Sequence, residues 1–331
     1  MGGLTGAMGA ATGAAGGLGA AMTAALGPIG LIVGAIAAVG AVGFTAAKAA
    51  SELDTHLDSL QSLTGLDDTA MKDMSKAAVN MSKDFKASAS DIVDSMKLIG
   101  SQAPELLKDQ EGLKSVTAAA NTLAEAGQIE VVDAAKAITT TMNQMGVAAS
   151  DASGIINTLA AASQQGAADI AYLNTAFEKA GTMAAKAGMS YGDLAAAVET
   201  VGPKFSSAEV AGQKLQATLL ALSVQGNDNF KPAVVGMSQA LDNLAKAELT
   251  DAQMKELVGA SQITMLQALI DGKEQYKEFT KSLVGTNTAY EMMQQNNDNL
   301  EGTINKLKSS WDAFMITLGQ SSFIQGAIGL L

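Results

Sequence analysis

The sequence predicts an all-α protein: an extended, Ala-rich assembly of many helices, with an apolar, membrane-length helix near the N-terminus and a heptad-bearing helix near the C-terminus. Three observations predict it. Apolar residues recur at helical spacing, as in Leu53, Leu57, Leu60 and Leu63 and again in Ile170, Leu173, Phe177, Ala180 and Ala184. Hydroxyl residues stand three positions before acidic or amide residues at the heads of such stretches, the pattern of a capping box. No run of alternating β-branched residues marks a strand. Aromatic residues are only 4% of the chain while hydrophobic residues are 48%, much of that Ala. Side chains that fill a thick core are scarce, so small residues that let helix backbones approach closely are expected to carry the packing.

The elements follow in order. Residues 1–26 are rich in Gly, Ala and Thr, and a Gly costs a helix about 1 kcal/mol relative to Ala, so this segment is expected to be flexible when alone in water. Residues 27–47 carry no charge; the first charged residue of the chain is Lys48. Pro28 suits a first helical turn. A helix from Ile29 to Ala47 would span about 28 Å, close to the ~30 Å hydrocarbon core of a bilayer. Ile29, Ile32, Ile36, Val39, Val42 and Phe44 make it apolar all round, and Gly30, Gly34 and Ala38 form a ridge of small residues that favours helix contact in lipid. A buried central helix of a bundle has the same all-apolar circumference, so both readings stand.

From 48 to 226 the signal is helix after helix. Starts are expected at Thr64 with Asp67, Ser88 with Asp91, Ser190 with Asp193, Ser206 with Glu209, and, further on, Thr250 with Gln253. Stops are expected at Gly65, Gly100, Gly127, Gly146, Gly166, Gly188 and Gly202. The spacing gives helices of about 12 to 20 residues. The stretch VQGNDNFKP (224–232) gathers turn-forming residues and marks a boundary, followed by a helical connector over 227–289.

Residues 290–331 hold the most sustained period: Tyr290, Met293, Asn297, Leu300, Ile304, Leu307, Trp311, Phe314 and Leu318 alternate steps of three and four. That is a heptad seam with Tyr290, Asn297, Ile304, Trp311 and Leu318 at a, and it predicts one long amphipathic helix that associates with another copy or packs on its own chain. The last residues, FIQGAIGLL, open a second apolar run, as expected of a piece of a longer protein.

The chemistry is sparse. The net charge is −12 and all 21 basic residues are scattered Lys, which argues against nucleic-acid recognition. With no Cys and one His, disulfides and Cys- or His-based metal sites are excluded. His56 lies beside the apolar stripe of its helix, where a surface or boundary role is expected. Asp67 and Asp68 read as charges favoured at a helix start. NDN (227–229) and NNDN (296–299) lack the spacing of a calcium loop, and no phosphate loop is present. No catalytic residue, metal or cofactor is expected, and the chain reads as a non-enzyme.

A family resemblance lies in the order of segments. LGPIGLIVGAIAAVGAVGFTAAKAASELDTHLDSLQSLTG is followed by ASASDIVDSMKLIGSQ, by the run from LAEAGQIEVVDAAKAITTTMNQMGV to MSYGDLAAAVETVG, by AGQKLQATLLALS, and late in the chain by NLEGTINKLKSSWDAFMITLGQ. This succession, over 26–222 and 299–320, resembles the core region of phage tail tape measure proteins. The resemblance implies a virion protein lying in the tail tube lumen, setting tail length during assembly. It implies contact with the tail tube protein, tail assembly chaperones, tail tip and distal tail proteins and further copies of itself. It also implies entry of apolar segments into the host inner membrane during genome ejection. A fully helical chain of this length spans at most about 500 Å, short for such proteins. The alternative is a helical pore former, holin-like or toxin-like, which rests on the same apolar stretch but leaves the amphipathic helices after it without a role.

Overall fold

Helix begins at the first residue that the computed structural model describes and recurs as far as Gly319; the described residues are 48–298 and 300–320. Residues 48–64 form α1. There follow α2 (Asp68–Met81), α3 (Ala89–Gln102), α4 (Gln110–Gly127), α5 (Val131–Met145), α6 (Ala152–Gln165), α7 (Ile170–Lys186), α8 (Tyr191–Val201) and α9 (Ala208–Val224). After the turn come α10 (Pro232–Val235), α11 (Met237–Lys246), α12 (Asp251–Val258), α13 (Ile263–Asp271), α14 (Lys273–Ser282), α15 (Thr288–Asn297) and α16 (Leu300–Gly319). Among the described residues there is no strand, and none of their helices is long and apolar enough to cross a membrane. The Gly- and Ala-rich segment 1–26, the apolar segment 27–47 with Pro28, Ile29, Gly30, Ile32, Gly34, Ile36, Val39, Val42 and Phe44, and the terminal apolar run all lie outside the described residues.

Local chemistry explains most helix starts. Ser88, Ser190 and Thr250 each accept the N–H of the residue three on, while Asp91, Asp193 and Gln253 accept the cap residue's own N–H, so two orphan donors are satisfied at once. Two expected starts are displaced. Asp67 itself caps α2, accepting from Thr69 and Ala70, while Thr64 belongs to α1 and returns its hydroxyl to the Leu60 carbonyl. Ser207, not Ser206, caps α9 by accepting from Val210. In both cases a good capping side chain stands closer to the first turn than the expected residue.

Gly65, Gly146 and Gly188 end α1, α5 and α7 in the left-handed region, which a side chain resists. Gly100 is instead interior to α3: a Cβ there would lie 2.2 Å from Leu107 Cδ2, so it serves packing and not termination. At the end of α4 the left-handed residue is Gln128, one past the expected Gly127. The helices after the 224–232 turn run shorter than the spacing suggests, 8 residues in α12, 9 in α13 and 10 in α14.

The described residues fall into two units: His56–Ser310, and a second that holds 48–55 and 311–320. Within His56–Ser310, α7 packs on α9 and α5, α4 on α5, α6 and α15, and α8 on α14 and α6. Small residues set these approaches. Gly212 of α9 lies so close to α7 that a Cβ would meet the Ala176 carbonyl at 2.9 Å. Ala160, Ala161 and Ala162 of α6 and Ala195, Ala196 and Ala197 of α8 are fully buried. Larger Leu, Ile and Met side chains fill the remainder, and Tyr276 is the bulkiest fully buried side chain among the described residues. Helices from beyond the 224–232 turn return to those before it, α12 and α13 onto α9 and α14 onto α8. This unit is therefore compact, where the sequence suggests an extended assembly: apolar stripes wide enough to serve two neighbours let late helices fold back on early ones.

Candidate functional site

The seam from Tyr290 to Leu318 is divided between two helices. The chain leaves helical geometry at Asp298, with φ −83° and ψ 53°, and α16 starts afresh at Leu300. Asn296, Asn297 and Asp298 hydrogen-bond backbone readily in non-helical conformations, which weakens a helix there. Gly302 permits the tight turn: a Cβ on it would lie 2.4 Å from the Asn297 carbonyl oxygen. One continuous helix over the seam is thus not formed.

The two halves have different surroundings. On α15, Met293 and Asn297 are buried and Tyr290 reaches solvent. Asn297 faces Glu125 of α4. Its Nδ2 donates to Glu125 Oε2, while Glu125 Oε1 accepts the Lys86 N–H at 2.6 Å. Asn296 Nδ2 donates to the last carbonyls of α4, those of Glu125 at 3.1 Å and Ala126 at 2.8 Å. At the other end of α15, Asn157 of α6 accepts the Ala289 N–H at 3.0 Å and the Thr286 hydroxyl donates to the Asn157 carbonyl at 3.3 Å. Polar side chains therefore pin both ends of α15 into the bundle.

On α16 the seam residues face outward. Ile304 is 46% exposed, Leu307 65%, Trp311 57% and Phe314 54%, and Leu318 is half-buried. The Trp311 and Phe314 rings lie 5.6 Å apart at a 37° tilt, a pair that presents one aromatic surface. The residues buried on α16 are others: Gly302, Ser309, Ala313, Met315 and Ile316. Ser309 Oγ donates to the Lys86 carbonyl at 2.9 Å. Thr303 and Ser310, small and uncharged, flank the outward stripe and are exposed. A helix with one face buried and an apolar stripe at steps of three and four left open is shaped to receive a second helix.

The rest of the unit offers little chemistry. His56 Nδ1 lies 2.9 Å from Asp94 Oδ1, in a pair that reaches solvent. Among the described residues no group of three or more His, Cys, Asp and Glu side chains is placed to hold a metal ion. An open groove of about 930 Å³ beside the α15–α16 junction is lined by Lys83, Gln294, Gln295, Asp298, Lys306 and Leu307 among others, with no convergent set of catalytic groups.

Two anchors escape the sequence reading. Asp193, expected as half of a capping box, also accepts the hydroxyl of Tyr276 at 3.2 Å, which ties α14 to α8; burial and the Asp193 carboxylate push the Tyr276 pKa up. The second is Glu199 of α8, 1% exposed. Its Oε2 accepts the N–H groups of Ala167 at 2.8 Å and Ala168 at 3.1 Å, in the turn from α6 to α7. Its Oε1 is buried without a hydrogen-bond partner. Burial pushes its pKa up to about 7, against the lowering effect of the two N–H bonds. Tyr172, whose hydroxyl donates to the Phe205 carbonyl at 3.0 Å, has its own pKa raised by burial and by the Glu199 charge. The available signal was a lone acidic residue inside LAAAVETV, a stretch otherwise small or apolar.

A family model described as phage-related minor tail protein matches residues 75–313, a span that holds α3 to α15 and most of α16. No curated protein and no solved structure matches the chain.

Proposed function

The chain belongs to the phage-related minor tail protein family and is a phage tail protein, and on that premise we propose that it is the tail's tape measure, a structural protein whose helical length sets tail length. The observation that carries this reading is the family match over 75–313 together with the ordered succession of tape-measure-like segments. Helices supply a ruler because each residue adds a fixed rise of about 1.5 Å. Measuring length demands that the chain lie along the tail axis, so the compact unit opens at its turns on entering the tube. Its interfaces favour this, because the fully buried Ala runs of α6 and α8 hide less apolar area per residue than Leu would.

In this reading the outward stripe of α16 joins the chain to a second copy. Full burial of a large apolar side chain is worth about 1.5–3 kcal/mol, so covering the exposed parts of Ile304, Leu307, Trp311 and Phe314 supplies on the order of 3–6 kcal/mol before association costs. The tail tube protein, assembly chaperones and tail tip proteins are the further partners, and the tail lumen is the location. The chain acts without catalysis. On release, residues 27–47 enter the host inner membrane and aid genome delivery.

Tail length in electron micrographs tests the ruler. In-frame duplication of 48–226 lengthens tails by up to about 1.5 Å per added helical residue; tails of unchanged length contradict it. Flotation with liposomes tests the membrane step. The full chain floats, and the Ile32→Asp/Val39→Asp variant does not, since each central Asp costs about 2.5–3.5 kcal/mol on insertion. Equal flotation of both, or of neither, removes that step.

A further inference from the structure

Glu199 is a carboxylate with nowhere to place a full charge. It comes from α8, a helix whose residues Leu194 to Val201 are all buried, and it reaches across to a backbone turn. The contact is close. Gly166 caps α6 in extended geometry, and a Cβ added to it would lie 1.8 Å from Glu199 Oε2, so only glycine lets the carboxyl press against the turn. The next two residues, Ala167 and Ala168, both point their N–H groups at that same oxygen. The following residue, Asp169, caps α7 by accepting the Tyr172 N–H at 2.7 Å. The carboxyl, the turn and the start of α7 therefore form one chain of contacts, and α7 packs on α5, α8 and α9.

No neighbour balances the charge. Among the elements packed on α8, α6 has no titratable residue. From α7 come Tyr172, which donates to a carbonyl, and the cap Asp169; Glu178 and Lys179 of α7 pair with Lys136 and Glu209, and Lys186 lies at its far end. On α9, Glu209 pairs with Lys179, and Lys214 donates to the Ser261 carbonyl. Lys204 lies in the 3₁₀ turn after α8. On α13 and α14, Asp271 and Lys273 flank Gly272, which lies against Thr200, and Lys273 and Lys277 pair with Glu274. Glu278 and Lys281 complete the charges of α14, and its Tyr276 donates to Asp193. Among the described residues no cation forms an ion pair with Glu199. The ionised form must therefore keep a buried, unpartnered Oε1, whereas a proton on that oxygen removes the buried charge and leaves Oε2 free to accept both N–H bonds.

We propose that the α6–α7 turn is a proton-operated latch, in which Glu199 holds the turn closed when its carboxyl is protonated and loosens it when the carboxyl ionises. The inference does not depend on the tail-length reading. Its working range follows from burial: the carboxyl titrates at about 7 in the folded chain, above the ordinary carboxylate range of about 4.3. The folded state thus holds the proton more tightly than the unfolded one. The stabilisation is fully present below the ordinary carboxylate pKa and is lost as pH rises through about 7. Across that window the opening equilibrium of the turn grows by at most about tenfold per pH unit.

Hydrogen exchange of the Ala167 and Ala168 amides in the full chain reads the latch directly. After correction for intrinsic exchange, protection is expected to fall at least fivefold between about pH 6 and about pH 8. In Glu199→Gln, which keeps the shape and one carbonyl acceptor, protection is expected to stay flat over the same range. A flat profile in the unaltered chain overturns the latch, as does an equal fall in the variant. A second readout needs no variant: the Glu199 side-chain carboxyl resonance. A midpoint near neutral pH supports the latch; one in the ordinary carboxylate range overturns it.

Discussion

α15 and α16 continue one seven-residue spacing, yet Met293 and Asn297 of α15 are buried in the bundle while Ile304, Leu307, Trp311 and Phe314 of α16 face outward. The difference is one of partners already present. α15 meets α4 and α6, whose Glu125 and Asn157 supply the hydrogen bonds its ends require. α16 buries Ser309, Ala313, Met315 and Ile316 and leaves Ile304, Leu307, Trp311 and Phe314 exposed. A heptad therefore reports that a helix has an apolar stripe suited to another helix. It does not report whether that helix belongs to the same chain.

The comparison can be broken or sharpened by substitution. The largest effect is expected from Met293→Asp, which places an unpaired charge in the core; loss of more than about 3 kcal/mol, read as a collapsed melting transition, is expected. A melting temperature close to that of the parent would mean α15 is not part of the core. Asn297→Ala removes the donor to Glu125 Oε2 and is expected to cost about 1–3 kcal/mol in urea unfolding. A cost below about 0.3 kcal/mol would show that this anchor does not hold the junction. Gly302→Ala forces a methyl against the Asn297 carbonyl, and about 1–2 kcal/mol is expected by the same measurement; no change would mean the α15–α16 turn yields freely. The smallest stability effect is expected from Leu307→Asp on the outward face, within about 0.5 kcal/mol when measured dilute enough for the chain to be a single copy. A large loss there would place Leu307 in a core and remove the distinction between the two helices.

Much of the fold was legible because its causes are local. Ser88, Ser190 and Thr250 announce their helices within four residues, and the stripe of α7 through Leu173, Phe177, Ala180 and Ala184 is buried as the spacing predicts. What was not legible depends on residues distant in sequence. The break at Asp298 lies within a regular apolar spacing that does not register it, and the contact with Glu125 that fixes Asn297 comes from far earlier in the chain. Asp193 disclosed its cap but not Tyr276. Glu199 stands out in the sequence as the lone acid of LAAAVETV, but the α6–α7 turn that closes over it lies some thirty residues earlier. The stripe of α16 is legible in the sequence as apolar residues at steps of three and four. Its exposure is a property of what surrounds it, which spacing does not encode.

The most direct test of the account is sedimentation of the full chain beside its Leu307→Asp/Phe314→Asp variant, with circular dichroism recorded on both. The account predicts that the unaltered chain sediments as an associated species and the variant as a single copy, while both keep the same helical signal and the unaltered chain melts higher as its concentration rises, because association stabilises the folded state. A charge in a helix–helix seam cannot be solvated, so association should fail without loss of fold. If the two sediment alike, whether both as single copies or both associated, the outward stripe of α16 is not where this protein meets its own kind.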